Sequence, residues 1–391
     1  MSKNVGARFT RALGSSVMLA LASASCAEIE DSEPEEDVVD ADVDGDETTG
    51  EAEEALLSGD VSAWALYDGW SVIASKSFNS SGYTTDVTKT STGVYSVRLN
   101  GIYGGAGNVQ VSTYGSDRHC RVGWWGSALP AFDTTTTISV RCHAPDGSPA
   151  DSGFVVSYAR FPGGTAASAS GAYLWMNQPT GGALDPNYQF GATSTVTYDG
   201  TGQYRVRMAG QANDNGDLQV TAYGVTGNEY CKIGGWAIDA GAVVARIHCH
   251  APNGALADSR FSLRYYRDTR DSAGGSGGYA WVQSNGFADS GFKRNVLHNS
   301  DGYDLPVSIS ASRAWLGTYD VDYAWQSPAS GAPLVTSYAF DVNDASYCAL
   351  NWWFVPSGTT TVRSQVVCYD PSGNFTDTAF DHVYFSPVIA P

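Results

Sequence analysis

The sequence has little methionine, little basic charge, and no long apolar run beyond its N-terminal stretch. Only 4 of its 391 residues are Met. No segment places apolar residues at helical spacing for long enough to form an amphipathic helix, which argues against helical and α/β classes. Past the first residues no 18 consecutive positions are apolar, so nothing further along the chain reads as a membrane-spanning helix. Lys and Arg number 22 against 41 Asp and Glu, a formal net charge of −19. A polyanion of this kind has no electrostatic means of holding nucleic acid or an anionic membrane surface. A Walker loop, an H-E-x-x-H pair and a dinucleotide fingerprint are absent from the sequence.

What the chain does have is glycine (44), tyrosine (22) and tryptophan (11), and 42% hydrophobic residues. Hydrophobic content at that level supports real cores and excludes global disorder. Glycine, tyrosine, threonine and valine together favour strands and tight turns.

Residues 1–26 read as an export signal. Lys3, Arg8 and Arg11 give a positive start, and Ala12 to Ala24 is short, apolar and rich in small residues. Ala22-Ser23-Ala24 fits an ordinary signal-peptidase site. Ser23-Ala24-Ser25-Cys26 fits a bacterial lipobox, with Ser where Leu is usual. Cysteine arithmetic favours lipidation of Cys26. Six of the seven Cys fall into pairs, and the odd one stands where the anchor would be attached. The expected address is extracytoplasmic: an outer-membrane or cell-surface lipoprotein, or a secreted protein.

Residues 27–59 read as a disordered acidic tether. Positions 28–54 hold fifteen Asp or Glu and no Lys or Arg, a run that repels itself and cannot bury a core. The signal carries +3 and the tether −15, which leaves −7 for residues 55–391. Asp40, Asp42, Asp44, Gly45 and Glu51 match a calcium-loop pattern of oxygen ligands. Glu47 stands where such loops carry an apolar residue, and a run this acidic matches acidic patterns by composition alone. It therefore reads as solvated linker, with no metal site assigned.

Internal repetition is the strongest signal. The block Cys142-x2-Pro145-x-Gly147-x3-Asp151-x2-Phe154-x3-Tyr158 recurs from Cys249 (Pro252, Gly254, Asp258, Phe261, Tyr265). It recurs again from Cys368 (Pro371, Gly373, Asp377, Phe380, Tyr384) with identical spacing. Upstream of each block stand a second Cys (Cys120, Cys231, Cys348) and, five residues later, a Trp (Trp125, Trp236, Trp353). Further up come Gly93-x-Tyr95-x-Val97, Gly202-x-Tyr204-x-Val206 and Gly317-x-Tyr319-x-Val321. Each copy opens on an aromatic strand containing Trp64, Trp175 or Trp281. Period-two alternation in Tyr95–Leu99, Val109–Thr113 and Thr137–Cys142, with Pro-x-Gly turns between, predicts strands.

The expected fold is all-β: three tandem disulfide-containing antiparallel β-sandwich modules, immunoglobulin-like or jelly-roll, at 60–161, 170–268 and 277–391. The predicted disulfides are Cys120–Cys142, Cys231–Cys249 and Cys348–Cys368, each closing a loop of about 20 residues and contributing roughly 3 kcal/mol. His143 and His250 follow their Cys directly and raise a metal reading. Tyr369 in the third copy and the absence of C-x-x-C spacing count against it.

The modules resemble a repeated β-sandwich unit of uncharacterised exported proteins of myxobacteria and actinobacteria. The features that carry the likeness are G-x-Y-x-V, the V-Q-V-T-A-Y-G element (Val109 to Gly115, Leu218 to Gly224), Cys-x4-Trp, and the Cys-to-Tyr block. The likeness covers about residues 60–387, and the third copy departs from it at the V-Q-V-T-A-Y-G element. It implies an envelope or secreted location and no particular chemistry.

Catalytic patterns give little. Asp151-Ser152-Gly153 and Asp289-Ser290-Gly291 match the aspartic-protease triplet. Asp151 is a repeat residue, however, whose counterparts lack the Gly, and so reads as a turn carboxylate. Gly274 to Gly278 matches G-x-S-x-G but lies in a Gly-rich linker without α/β context. His119, His143, His248 and His250 cluster near the paired Cys and read as exposed strand histidines. No catalytic residue and no cofactor is expected.

Binding is the more credible role, since repeated modules on one tether suit multivalent attachment. In Trp124-Trp125 and Trp352-Trp353 one ring of each pair can enter the core. That leaves Trp124 and Trp352 as candidate ligand-binding side chains. The reading is a non-enzymatic binding or structural component of the envelope. Its expected partners are a cell-envelope polysaccharide or a surface protein, with no nucleic acid, and with membrane contact only through the lipid anchor. A carbohydrate-binding adhesion array is the alternative, and a hydrolase the more distant one.

Overall fold

A computed structural model of the chain describes residues 60–127, 134–168, 171–212, 216–267, 276–286, 295–298, 304–305, 309–324 and 330–386. Cys26, the calcium-loop match (Asp40, Asp42, Asp44, Glu51) and the Asp289 triplet lie outside the described residues, as do Gly274 and Gly275 of the Gly274–Gly278 stretch. The described residues form strands and two short 3-10 turns, with no α-helix among them.

The first repeat supplies β1 (Val61–Tyr67), β2 (Phe78–Asn79), β3 (Thr85–Ser91), β4 (Val94–Asn100), β5 (Asn108–Tyr114), β6 (His119–Ser127), β7 (Thr135–His143) and β8 (Gly153–Arg160). The second supplies β9 (Gly171–Met176), β10 (Gln189–Phe190), β11 (Thr193–Gly200), β12 (Gln203–Ala209), β13 (Asp217–Tyr223), β14 (Tyr230–Asp239), β15 (Ala242–His250) and β16 (Arg260–Tyr266). The third supplies β17 (Ser276–Val282), β18 (Asn295–His298), β19 (Asp304–Leu305), β20 (Ile309–Trp315), β21 (Thr318–Tyr323), β22 (Ala332–Tyr338), β23 (Tyr347–Phe354), β24 (Val362–Tyr369) and β25 (Ala379–Ser386).

Each repeat splits its strands between two half-sheets that face each other across its own apolar core. In the first repeat β1, β5 and β8 bring Ala65, Val111 and Phe154 against Val97, Val122 and Ile138 of β4, β6 and β7. The sheets do not end at the repeat boundary. One runs β2-β1-β8-β5-β23-β24-β21-β20, the next β10-β9-β16-β13-β6-β7-β4-β3, and the third β11-β12-β15-β14-β22-β25-β17-β18-β19. Every sheet thus joins an inner half-sheet of one repeat to an outer half-sheet of another. The joins run 1 to 3, 2 to 1 and 3 to 2, and so close into a ring with pseudo-threefold equivalence.

Each join is a single parallel bridge within otherwise antiparallel sheets: Tyr114 with Leu350, Tyr223 with Val122, and Tyr338 with Ile233. The amide after each Tyr closes the bridge. Gly115 N donates to Leu350 O at 2.7 Å, Gly224 N to Val122 O at 2.9 Å, and Ala339 N to Ile233 O at 2.9 Å. Directly after each accepting residue lies a bulge, with Gly123, Gly234 or Asn351 as the extra residue. A bulge bends its strand and increases its twist, and here it turns the strand away just after it has joined the neighbouring repeat.

Ring closure explains a burial pattern that alternation alone misreads. β4, β12 and β21 alternate as outer strands should. β13 and β22 are buried at every position, and β5 at all but its last. Asn108, Gln110 and Ser112 alternate with valines as a solvent face would, yet all three are buried. They face the neighbouring repeats instead of water.

The opening tryptophans exchange between repeats. Trp64 lies in the third repeat's apolar cluster and Trp175 in the first's, and Trp281 packs against the second's. Trp64 Nε1 donates to Ser330 O at 3.2 Å. Trp125 meets Trp175 and Tyr223 of the next repeat edge-on, with centroids at 5.5 and 5.3 Å.

The repeat block and the G-x-Y-x-V element clasp each other. Gly93, Gly202 and Gly317 hold φ of +69, +65 and +65°. A Cβ there would fall 2.4, 2.5 and 2.7 Å from the carbonyl oxygens of Cys142, Cys249 and Cys368, so only glycine fits. Their amides donate to Asp151, Asp258 and Asp377 at 2.9, 2.7 and 2.8 Å. Asp151 is therefore a structural acceptor, also ion-paired with Lys89. The three disulfides form as the spacing predicts.

Candidate functional site

The centre of the ring is built from equivalent residues of all three repeats. At one end the Pro-x-Gly turns interlock: a Cβ on Gly147 would strike Pro252, one on Gly254 would press on Pro371, and one on Gly373 would strike Pro145. Beneath them His119 Nε2 bonds to Asn228 O at 2.9 Å, Tyr230 donates to Ala345 O at 2.5 Å, and Tyr347 donates to Asp117 O at 2.7 Å. Deeper in, three hydroxyls accept amide protons across the joints. Val111 N donates to Thr221 at 3.0 Å, Val220 N to Thr336 at 3.2 Å, and Val335 N to Ser112 at 2.9 Å. Thr221 and Thr336 donate in turn to Gln110 and Gln219 at 2.9 Å each. The third repeat has Leu334 in place of a glutamine, and Ser112 donates to the Val335 carbonyl at 3.1 Å instead.

Between these layers lies a cavity of about 40 Å³, lined by Ser112, Thr221, Thr336, His119, Tyr230 and Tyr347 among others. Its size suits a water molecule or two and excludes an organic substrate. The lining offers hydroxyls, one imidazole and disulfide sulfur, and no carboxylate. Among the described residues no group of three His, Cys, Asp or Glu is placed to hold a metal ion.

The histidines are buried, which corrects the expectation of exposed strand residues. His119, His143, His248 and His250 are all enclosed; His119 and His250 pack against Tyr230 at the ring centre, and His143 stacks on His119. Burial lowers the pKa of His119 to about 3 and of His143 and His250 to about 4. Desolvation favours the neutral imidazole. His382 is also buried, bonded to Tyr323 at 2.6 Å and Ser364 at 3.0 Å, with its pKa lowered to about 3.

Among the described residues ion pairs cross two of the three joints. Buried Arg121 pairs with Glu229 and donates to Tyr223 O at 2.5 Å. Fully buried Lys232 binds Asp344 at 2.9 Å and Ser346 at 3.1 Å. Ala349 holds the equivalent place at the third joint. Sequence reading did not single these residues out. The available signal was the matched position directly after the first Cys of each copy.

Trp124 and Trp352 occupy equivalent places beside the bulges. Trp125 and Trp353 enter the interior, while Trp124 stays 42% exposed and Trp352 is half-buried against Phe354, with centroids at 5.1 Å. In the second repeat Gly235 holds this place and Phe340 of the third lies over it, within 2.6 Å of where a Cβ would stand. The two tryptophans stand on different repeats. More exposed rings lie elsewhere, Trp70 at 91% on the turn after β1 and Trp315 at 76% at the β20–β21 hairpin.

Compared with known proteins, the chain matches no family model, no curated protein and no solved structure.

Proposed function

We propose that the protein is a non-enzymatic structural or binding component of the cell envelope, exported and held at the surface through lipid on Cys26. The observation that carries this reading is the use made of the interior. Among the described residues, the hydroxyls, amides and imidazole at the ring centre join the three repeats into one closed, disulfide-stapled ring, and the cavity they line there is about 40 Å³. Three disulfides suit an oxidising extracytoplasmic compartment. The acidic run between Cys26 and the ring would serve as the spacer.

The exposed Trp124 favours a second reading, attachment to an envelope polysaccharide by stacking of sugar faces on aromatic rings. Metabolic labelling with a palmitate probe tests the anchor. The wild type should carry label and sediment with membranes, and Cys26→Ala should do neither. A pull-down of the oxidised protein against insoluble polysaccharides, peptidoglycan and envelope fractions, with Trp124→Ala and Trp352→Ala, separates the roles. Capture by one polymer that the substitutions abolish favours the glycan reading, and no capture leaves the structural one.

A further inference from the structure

Where the first repeat hands over to the second, a pocket of about 220 Å³ opens beside the end of β8. Phe161, Tyr173 and Gln189 form its buried floor, and Pro186 and Asn187 stand on its exposed rim. This is below the ~300–1,000 Å³ of sites that take drug-sized ligands, so it has room for one ring and not for a chain.

Arg160 is the charged residue in its wall. Its Nη2 is buried and has no hydrogen-bond partner, and no described carboxylate lies within ion-pair distance of it. A guanidinium that lines a pocket and has no carboxylate partner leaves donor capacity for an anionic ligand. The side chain is also held in place. It lies against Gly104, where a Cβ would fall 2.2 Å from Nη1.

The other polar side chains of the wall are Gln189, Asn187 and Tyr173. Gln189 Oε1 is occupied by the Ser194 amide at 3.2 Å, and Gln189 Nε2 makes only a long 3.5 Å contact with the Asp185 carbonyl. The Tyr173 hydroxyl accepts from Phe161 N at 3.3 Å. Burial pushes its pKa up to about 12, so it stays a neutral phenol. The nearby Asp185 carboxylate is committed to the Asn187 amide at 2.9 Å.

We propose that this pocket binds a small carboxylate carried on a single sugar-sized ring, a uronic acid. The Arg160 guanidinium receives the carboxylate, for which its planar fork is the matching donor. The side-chain amides of Gln189 and Asn187 meet ring hydroxyls, and the Phe161 and Tyr173 rings form the apolar floor beneath. The site is independent of the exposed tryptophans and of the anchor, so it stands or falls apart from the envelope reading.

Calorimetric titration of the whole oxidised protein with galacturonate and glucuronate tests it, with glucose and sulfate as comparators. The expected result is binding of at least one uronate, at least tenfold tighter than glucose and tighter than sulfate. Arg160→Gln should weaken it at least tenfold without moving the melting temperature, and Arg160→Lys should restore part of the loss. Glucose binding as well as the uronates, or an Arg160→Gln variant that binds like the wild type, would overturn the proposal. Sulfate binding as tightly would reduce the site to a plain anion site and overturn the ring assignment. Absence of binding by either uronate up to its solubility limit would also overturn it.

Discussion

Asp217 of the second repeat and Asp381 of the third meet inside the joint between those repeats, both enclosed. Gln219 Nε2 ties the Asp217 carboxyl, at 2.8 Å, to the Asp381 carbonyl, at 3.2 Å. Burial raises both carboxyls well above the ordinary value of 3.8, and for Asp381 the neighbouring Asp217 raises it further. The other two joints fill the same place differently. Asn108 donates to Ser262 at 2.7 Å between the first and second repeats, and Val155 joins the third repeat's apolar cluster with Ala332 between the third and first. One joint is thus amide to hydroxyl, one acid to acid and one apolar. Three near-identical repeats acquire a defined order by this asymmetry.

The acid pair sets the alkaline limb of stability. A carboxyl with a raised folded-state pKa keeps its proton where the unfolded chain has lost it, so folding is favoured at low pH and loses ground as pH climbs towards the raised value. Asp217→Asn should therefore stabilise the protein at pH 8 by about 1–3 kcal/mol. The gain should vanish near pH 4. Melting curves of both proteins across that range check this, and an Asn variant less stable at pH 8 would contradict it.

The buried histidines set the acid limb. His119, His143, His250 and His382 titrate at about 3–4 in the fold against 6.5 in the unfolded chain. The unfolded state therefore binds more protons between those values, and stability falls as pH drops through that window. Four imidazoles outnumber the two carboxyls there, so the melting temperature should peak near pH 6.5–7. A melting temperature that rises steadily from pH 7 to pH 4.5 would contradict this assignment.

Exchange of tryptophans predicts damage across a repeat boundary. Trp175 belongs to the second repeat but fills the first repeat's core. Trp175→Ala should cost about 3–5 kcal/mol, as large core truncations do. Amide hydrogen exchange should show the loss of protection in β4, β6 and β7 of the first repeat. A loss confined to residues 171–266 would contradict the exchange.

The hydroxyl triangle predicts a smaller effect. Thr221→Val keeps the shape but removes the acceptor of the Val111 amide, which should cost about 1–3 kcal/mol. Denaturant titration measures it, and an unchanged midpoint would show that the bond contributes nothing.

The parts of this fold legible in the sequence are those that local pattern encodes. The G-x-Y-x-V elements mark the recurring unit, the Pro-x-Gly motifs mark turns, and the Cys spacing marks the disulfides. What was not legible is the partner of each polar row. The alternation at Gln110 and Ser112 marks a strand but leaves its second face unassigned, because period two reports only that alternate residues differ, not what the second face meets. The same ambiguity misplaced the histidines. The tryptophan pairs were separable into one inner and one outer ring, because alternation settles that locally. Arg160 carried no signal at all, since its surroundings come from the turn before β10 and from the loop at Gly104.

Ring closure is the central claim, and scanning calorimetry of the whole oxidised protein tests it most directly. Repeats that share every sheet and exchange core tryptophans should unfold together, in one transition whose calorimetric and van't Hoff enthalpies agree. Two or three resolved transitions, each with the enthalpy of a single repeat, would contradict it.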